Sequence, residues 1–179
     1  MKVLEQIELI RAKPEDAALV HALQLEAFWP LYQLYHDDET SPAKESIERI
    51  LEKITDPNGE FYIIHLDKRP IGGIRIRHYE NGRKLENVNW ISPLFIIPGF
   101  QNRGIAQQVI RMVMDSYPRT VTWKLDTIKQ EKKNCHLYER CGFRQTGDEY
   151  RIHEGMSLIE YEKKGCLEEE PKDLRGGNQ

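Results

Sequence analysis

The run Leu94-Phe95-Ile96-Ile97-Pro98-Gly99-Phe100-Gln101-Asn102-Arg103-Gly104-Ile105-Ala106 decides how the rest of the chain is read. Its first four residues are apolar and rich in isoleucine, the pattern of a buried strand. Pro98-Gly99 stops that strand, because proline has no amide donor and glycine accepts backbone angles that strands do not use. Beyond Gly104 the period changes to about 3.6. Ile105, Val109, Met112 and Ser116 mark one face, and Ala106, Ile110, Val113 and Tyr117 widen it. The spacing predicts a strand, a short polar loop and an amphipathic helix.

The first turn of such a helix presents N–H groups with no partner inside the helix. Their partial positive charge favours an anion by about 0.3–1 kcal/mol, rising to about 2 when partly buried. Gly104 leaves room for a phosphate to approach the backbone, while Gln101 and Arg103 can add side-chain donors. No Gly-Lys-Ser/Thr follows, so this is not a Walker loop, and the three-glycine dinucleotide fingerprint is absent as well.

Composition narrows the classes around this feature. The chain has 179 residues, enough for one domain with a substantial core, and a formal net charge of −3. A pI near 6.1 gives no basic footprint for nucleic acid. No apolar run approaches the roughly 20 residues that cross a bilayer, and the N-terminal residues do not read as a signal peptide. The expectation is therefore no membrane and no nucleic acid. Cys135, Cys141 and Cys166 form no disulfide framework, which favours a reducing cytoplasm. Their spacing with His136 fits no standard zinc site, so no metal is expected. Cys135 and His136 also make a poor nucleophile pair, because neighbours on a helix point to different faces.

Taken in order, Ile7–Arg11 reads as a first, edge strand. A helix follows from Pro14 to about Tyr35, with Pro30 expected to kink or split it into two pieces. Its aromatics Phe28, Trp29, Tyr32 and Tyr35 read first as a core stripe and second as the lining of an acceptor pocket. Ser41-Pro42 predicts the cap and first turn of another helix, with Ile47, Ile50, Leu51 and Ile54 inward. Asp56–Gly59 is a turn, Phe61–Leu66 a strand, and Ile71–Tyr79 a strand with Ile74 and Ile76 opposed to Arg75 and Arg77. Gly72-Gly73 predicts a bulge or a close backbone approach, and Asn81-Gly82 a hairpin turn. Trp90 leads the strand that enters the opening motif, in which Ser92-Pro93 predicts an irregular edge. After Pro118 come a strand at Val121–Leu125, a helix at Asn134–Cys141 stopped by Gly142, and an antiparallel pair at Phe143–Tyr150 and Gly155–Lys163. Residues 1–165 read as one domain and 166–179 as a charged, glycine-containing tail.

Gln101-x-x-Gly104-x-Ala106 resembles the Arg/Gln-x-x-Gly-x-Gly/Ala signature of the GCN5-related N-acetyltransferase (GNAT) superfamily, which binds the pyrophosphate of acetyl-coenzyme A. Asn134-x-x-x-Tyr138-x-x-x-Gly142-Phe143 resembles that family's Asn…Tyr…Gly-Phe segment, one helix and one strand downstream. The resemblance covers roughly residues 7 to 163. It implies an α/β fold: a mixed, mainly antiparallel six- to seven-stranded sheet flanked by helices, with splayed central strands. It further implies acetyl-coenzyme A as co-substrate and direct N-acetylation of an amine on a small molecule, peptide or protein. The rival readings are a non-catalytic acyl-coenzyme A sensor or regulatory module, and an interaction protein that kept the fold but lost the cofactor. Relatives are often dimers, so a homodimer is an expectation.

Residue by residue, the resemblance implies that Phe95, Ile96 and Ile97 pair with the pantetheine arm and that Ile96 N–H polarises the thioester. Gln101, Asn102, Arg103, Gly104, Ile105 and Ala106 would hold the pyrophosphate, Asn134 the arm, and Tyr138 would be the general acid. Many relatives place an acidic base on the strand before the loop. Here that segment is Asn89-Trp90-Ile91-Ser92-Pro93, so the pattern is not met. Glu26 is the weak substitute, with Glu86 and His78 behind it.

Overall fold

A computed structural model describes residues 5–80 and 87–165 of the chain. Among these residues seven strands form one sheet: β1 (Ile7–Arg11), β2 (Gly59–Leu66), β3 (Arg69–Glu80), β4 (Asn87–Ile96), β5 (Thr122–Ile128), β6 (Arg144–His153) and β7 (Met156–Lys164). Four helices flank it: α1 (Ala17–Tyr35), α2 (Ile47–Thr55), α3 (Ile105–Ser116) and α4 (Lys132–Arg140). The spatial order is β1-β2-β3-β4-β5-β7-β6. Every neighbouring pair is antiparallel except β4 and β5, which run parallel because α3 carries the chain back between them. The expected sheet is therefore present, with β1 at one edge.

Local chemistry accounts for most of the turns. Asp67 and Lys68 both take positive φ, 49° and 69°, the backbone of a tight two-residue hairpin between β2 and β3. Gly142 ends α4 at φ 88°. The Asn81-Gly82 turn and Glu86 lie outside the described residues. At Gly73 a Cβ would sit 2.7 Å from the Phe95 ring and 2.9 Å from that of Phe61. The close approach expected there is real, and a bulge lies one step away, where the β2–β3 register shifts between Ile64 and His65.

Three local expectations change. Pro30 does not divide its helix: α1 is one continuous element of 19 residues. Pro30 is exposed, so water can satisfy the Glu26 carbonyl that has lost its donor. Ser41 caps only a short 3-10 turn, and the longer helix starts later, with Ser46 Oγ accepting from Arg49 N at 3.2 Å. In α2 only Ile50 and Ile54 are buried, whereas Ile47 and Leu51 are 43% and 39% exposed. Ser116, at the last position of α3, is exposed as well.

Strand alternation assigns the two faces. Trp123 of β5 stacks edge-on against Tyr117 at the end of α3, with ring centroids 5.9 Å apart. Lys124 and Asp126 therefore point to the opposite face. Phe95 of β4 meets Phe28 of α1 at 5.8 Å, and its β3 partner Gly73 lies in phase with Arg75 and Arg77. Helices α1 and α2 thus cover β2, β3 and part of β4 on one face, while α3 and α4 cover the other. One continuous core, including Ile64, Ile74, Ile76, Leu125 and Tyr161, runs through both layers.

Candidate active site

The sheet opens at its centre. β4 and β5 are paired only at Val88–Thr122, Asn89–Trp123 and Trp90–Lys124. Above Trp90, β4 stays with β3, while β5 continues to Ile128 paired with β7 alone. A bulge accompanies the parting: Ser92 and Pro93 together stand opposite the single residue Arg75, between the Ile76–Ile91 and Ile74–Leu94 pairs. The irregular edge expected at Ser92-Pro93 is found, and the central strands are splayed.

The edge that β4 turns toward the gap follows from the ladder. Ile97 N–H donates to Ile71 O of β3 at 2.8 Å. In an antiparallel ladder the next residue then points the other way, so Ile96 and Leu94 present their main-chain groups to the opening. The Ile96 carbonyl accepts from Gln101 Nε2 at 2.7 Å, which leaves its N–H facing the gap. Of the expected contact residues, Ile97 thus spends its N–H on β3, and the Phe95 side chain packs against Phe28 and Phe61.

The opening ends at the N-terminus of α3. Gly104 is its N-cap, at φ 75°, with no side-chain cap on the helix. The first bond of the helix is Gln108 N to Gly104 O at 3.2 Å, so the N–H groups of Ile105, Ala106 and Gln107 precede any intrahelical partner. A Cβ on Gly104 would meet nothing within 4 Å, so the space above it is clear. Gln101, Asn102 and Arg103 are exposed around this turn, Arg103 pairing with Glu5 and lying 5.5 Å over the Phe100 ring. Ile105 is buried and anchors the helix, and Ala106 is half-buried. These residues converge on one turn at the start of α3.

On the α3 face, α4 brings Asn134 and Tyr138 onto the same side of the helix, four residues apart. Tyr138 is 8% exposed and packs against Phe143 and Tyr161, each with ring centroids 6.1 Å away. Burial first, then Cys141 and Cys135, raises its phenol far above the ordinary value, so the hydroxyl keeps its proton. Among the described residues that hydroxyl has no hydrogen-bond partner. Cys135 is buried on the inner side of α4, whereas His136 is exposed beside Glu139.

On the α1 face the sheet brings forward a group that sequence reading missed. Asp126 stands on the length of β5 that has parted from β4, across from Glu160 of β7. Glu160 is buried and accepts from Lys124 Nζ at 2.8 Å. Asp126 keeps an accessible side chain, and desolvation together with the Glu160 charge pushes its carboxyl up to about 6. Ending this strand at Leu125 concealed it. The alternation Lys124-Leu125-Asp126-Thr127-Ile128 was the signal, since it places Asp126 on the polar side.

The other base candidates stand elsewhere. Glu26 lies on the exposed side of α1. His78 Nδ1 is bonded to Asn89 Oδ1 at 2.8 Å, and Asn89 Nδ2 donates to Thr120 at 2.7 Å. That chain sits on the α3 face beside the closed end of the strand pair. The α1 aromatics are not a core stripe. Only Phe28 packs on the core, while Trp29 is 44% exposed and Tyr32 bonds Asp38 at 2.8 Å. Tyr35 reaches from α1 to Glu131 at the start of α4, donating at 2.6 Å, and so ties the two helix layers together near the open end of β5. Its phenol is pushed up to about 12 by burial, with Glu131 adding to the effect.

A cleft of about 480 Å³ lies at the far end of α3, between Arg111, Met114, Trp123, Cys141 and Lys163. It shares Gln107 of the first turn of α3 with the opening but none of Leu94, Ile96, Gln101–Ala106, Asp126, Asn134 or Tyr138. Among the described residues no three His, Cys, Asp or Glu side chains form a metal-ligand set, and no helix is long and apolar enough to cross a membrane.

Comparison with known proteins bears on this geometry. The sequence matches the family model described as acetyltransferase (GNAT) family over residues 25–143. Curated protein sequences give no match. Among solved structures, the PaiA N-acetyltransferase from Thermoplasma acidophilum in complex with coenzyme A superposes with a TM-score of 0.71 at 18% identity, over 89% of this chain and 99% of that one. A spermidine N-acetyltransferase from Vibrio cholerae, in complex with coenzyme A and spermine, gives 0.68 at 20% identity, over 89% and 95%. RimL, a ribosomal L7/L12 alpha-N-protein acetyltransferase in complex with coenzyme A, gives 0.69 at 15% identity, over 90% and 96%.

Proposed function

The chain belongs to the acetyltransferase (GNAT) family, and from that premise we propose that it N-acetylates a primary amine of a small molecule or peptide by direct attack in a ternary complex. The observation that carries this reading is the parting of β4 from β5 beside an uncapped helix N-terminus, with an accessible carboxylate on one face and a protonated phenol on the other. Acetyl-coenzyme A, bound in this opening, supplies an activated thioester carbonyl.

The chain's own groups fit that co-substrate. The free N–H groups at Ile105 and Ala106 receive the diphosphate over Gly104, with Gln101, Asn102 and Arg103 around it. The free edge at Leu94 and Ile96 pairs with the amide-bearing arm as an added strand would, and Asn134 holds the arm from the other side. Ile96 N–H donates to the thioester oxygen where negative charge gathers. Asp126 receives the proton that the acceptor ammonium must lose, either directly or through one water. Tyr138 donates its O–H to the departing sulfur. Asp126 is better placed for the base role than Glu26, because it borders the opening itself.

The test is thiol release from acetyl-coenzyme A over a panel of primary amines, with the acetylated product identified by mass. Release that depends on both the amine and Asp126 supports acetyl transfer. Saturable binding of acetyl-coenzyme A with no amine-dependent release would instead make the chain a binding module.

A further inference from the structure

The α1 face carries a second polar concentration, across the opening from Asp126. A cleft of about 580 Å³ lies between α2 and the sheet, and Arg75, Arg77 and Ser92 form its sheet-side wall. Register fixes where that wall stands. Arg77 pairs with Trp90, and Trp90 pairs with Lys124, so the three form one row across the strands. The next row toward the loop is Arg75, the Ser92-Pro93 bulge and, beyond the gap, Asp126. The cleft and Asp126 therefore lie on the same face with β4 and the gap between them, farther apart at the backbone than the roughly 10 Å of two regular strand spacings.

The charges in the cleft do not balance internally. Lys53 is paired with Glu45, Arg49 with Glu52 at 2.6 Å, and Arg75 Nη2 with Asp56 at 2.5 Å. Arg77 has no acidic partner among the described residues and lies exposed, 4.9 Å over the Tyr79 ring. Arg75 is 6% exposed, far more buried than the polar side of a strand leads one to expect, yet its Nε–H has no hydrogen-bond partner. A buried charged donor without an acceptor is costly. Arg77, a cation without an acidic partner among the described residues, lies exposed at the wall of this concavity and calls for an anion, with Arg75 adding positive charge behind it. The far side of the opening carries the reverse charge, since Lys124 is taken up by Glu160 and Asp126 beside them is left as a carboxylate suited to an ammonium.

We infer that the cleft holds an anionic group of the acceptor, so that the substrate is bipolar: its primary amine lies at Asp126 and its carboxylate or phosphate at Arg77 and Arg75. This rests on acetyl transfer at the β4–β5 opening. It goes further by naming the substrate class and the end-to-end orientation.

Three matched pairs of acceptors test it, each pair differing by one anion: lysine against cadaverine, 6-aminohexanoate against its primary amide, and phosphoethanolamine against ethanolamine. The anionic member of at least one pair should be favoured about tenfold or more in kcat/KM, the scale of a charge-assisted hydrogen bond. Which pair responds separates carboxylate from phosphate. Arg77→Gln should collapse that ratio toward one by raising KM for the anionic member rather than by lowering kcat. Arg77→Glu should invert it. Equal or reversed preference in the natural protein overturns the inference, as does a preference that survives both substitutions, while acetyl transfer stands. If no amine in the wider panel releases thiol, both readings fall.

Discussion

Replacing Asp126 by Asn should make the protein more stable and nearly inactive at the same time. The carboxyl is pushed from its ordinary 3.8 to about 6 by desolvation and by Glu160. At about 1.4 kcal/mol per pH unit, that is an upper bound of about 3 kcal/mol against the charged form. The side chain is accessible to solvent, and screening reduces the figure to about 1 kcal/mol. The sign follows from linkage. A carboxyl raised by the fold binds its proton more tightly when native, so its favourable contribution is complete below about 3.8 and is lost as pH rises through about 6. At pH 8 the natural protein carries an unfavourable charge that Asn lacks. The variant should then melt higher by roughly 2–4 °C at pH 8 and show a smaller gain as pH falls toward 4. Turnover should drop on the order of 10²–10⁴-fold, the range for a positioned general base. In the natural protein, kcat/KM for the amine should rise with pH through an apparent value near 6, and the variant should lack that limb. Differential scanning fluorimetry across pH, with thiol-release kinetics, reads both quantities. Full activity with the acid limb intact in Asp126→Asn would refute the assignment of the base, and equal melting at pH 8 would refute the desolvation argument.

Other substitutions separate the remaining parts. Tyr138→Phe keeps the ring contacts with Phe143 and Tyr161, so kcat should fall about 10²-fold while coenzyme A affinity and melting stay close to the natural protein. Gly104→Val places a β-branched side chain at φ 75°, and coenzyme A titration should show affinity weakened by roughly 1–3 kcal/mol as the turn re-forms. Gly73→Ala drives a methyl group into the Phe95 and Phe61 rings and should cost about 1–3 kcal/mol in denaturant unfolding, with no specific effect on KM. Tyr35→Phe removes the α1–α4 tie through Glu131; urea unfolding should register a loss of about 1–2 kcal/mol, consistent with one hydrogen bond to a carboxylate.

The parts of the fold that could be read in advance are those written in local chemistry. Pro98-Gly99 and Gly104 mark a strand end and a helix start wherever they occur, and Gly142 marks a helix end. The parts that could not be read depend on distant partners. Whether Pro30 breaks a helix turns on whether water reaches the Glu26 carbonyl, which the surrounding layer decides. Arg75 reads as a solvated residue until Asp56 and α2 close over it. Asp126 borders the opening only because β5 outruns β4 and pairs with β7, a fact settled by residues more than thirty positions away. The proposed acceptor side is built by long-range register, whereas the proposed cofactor side is built by one contiguous turn and helix.

The central claim is that the opening between β4 and β5, closed off by Gly104 and the α3 N-terminus, receives a coenzyme A thioester. A crystal structure with coenzyme A tests it most directly. The diphosphate should lie within hydrogen-bond distance of the Ile105 and Ala106 N–H groups, with the arm running between Ile96 and β5 and the sulfur approaching Tyr138. Coenzyme A seated instead in the cleft beside Cys141 and Lys163, or no uptake at saturating concentration, would contradict the account.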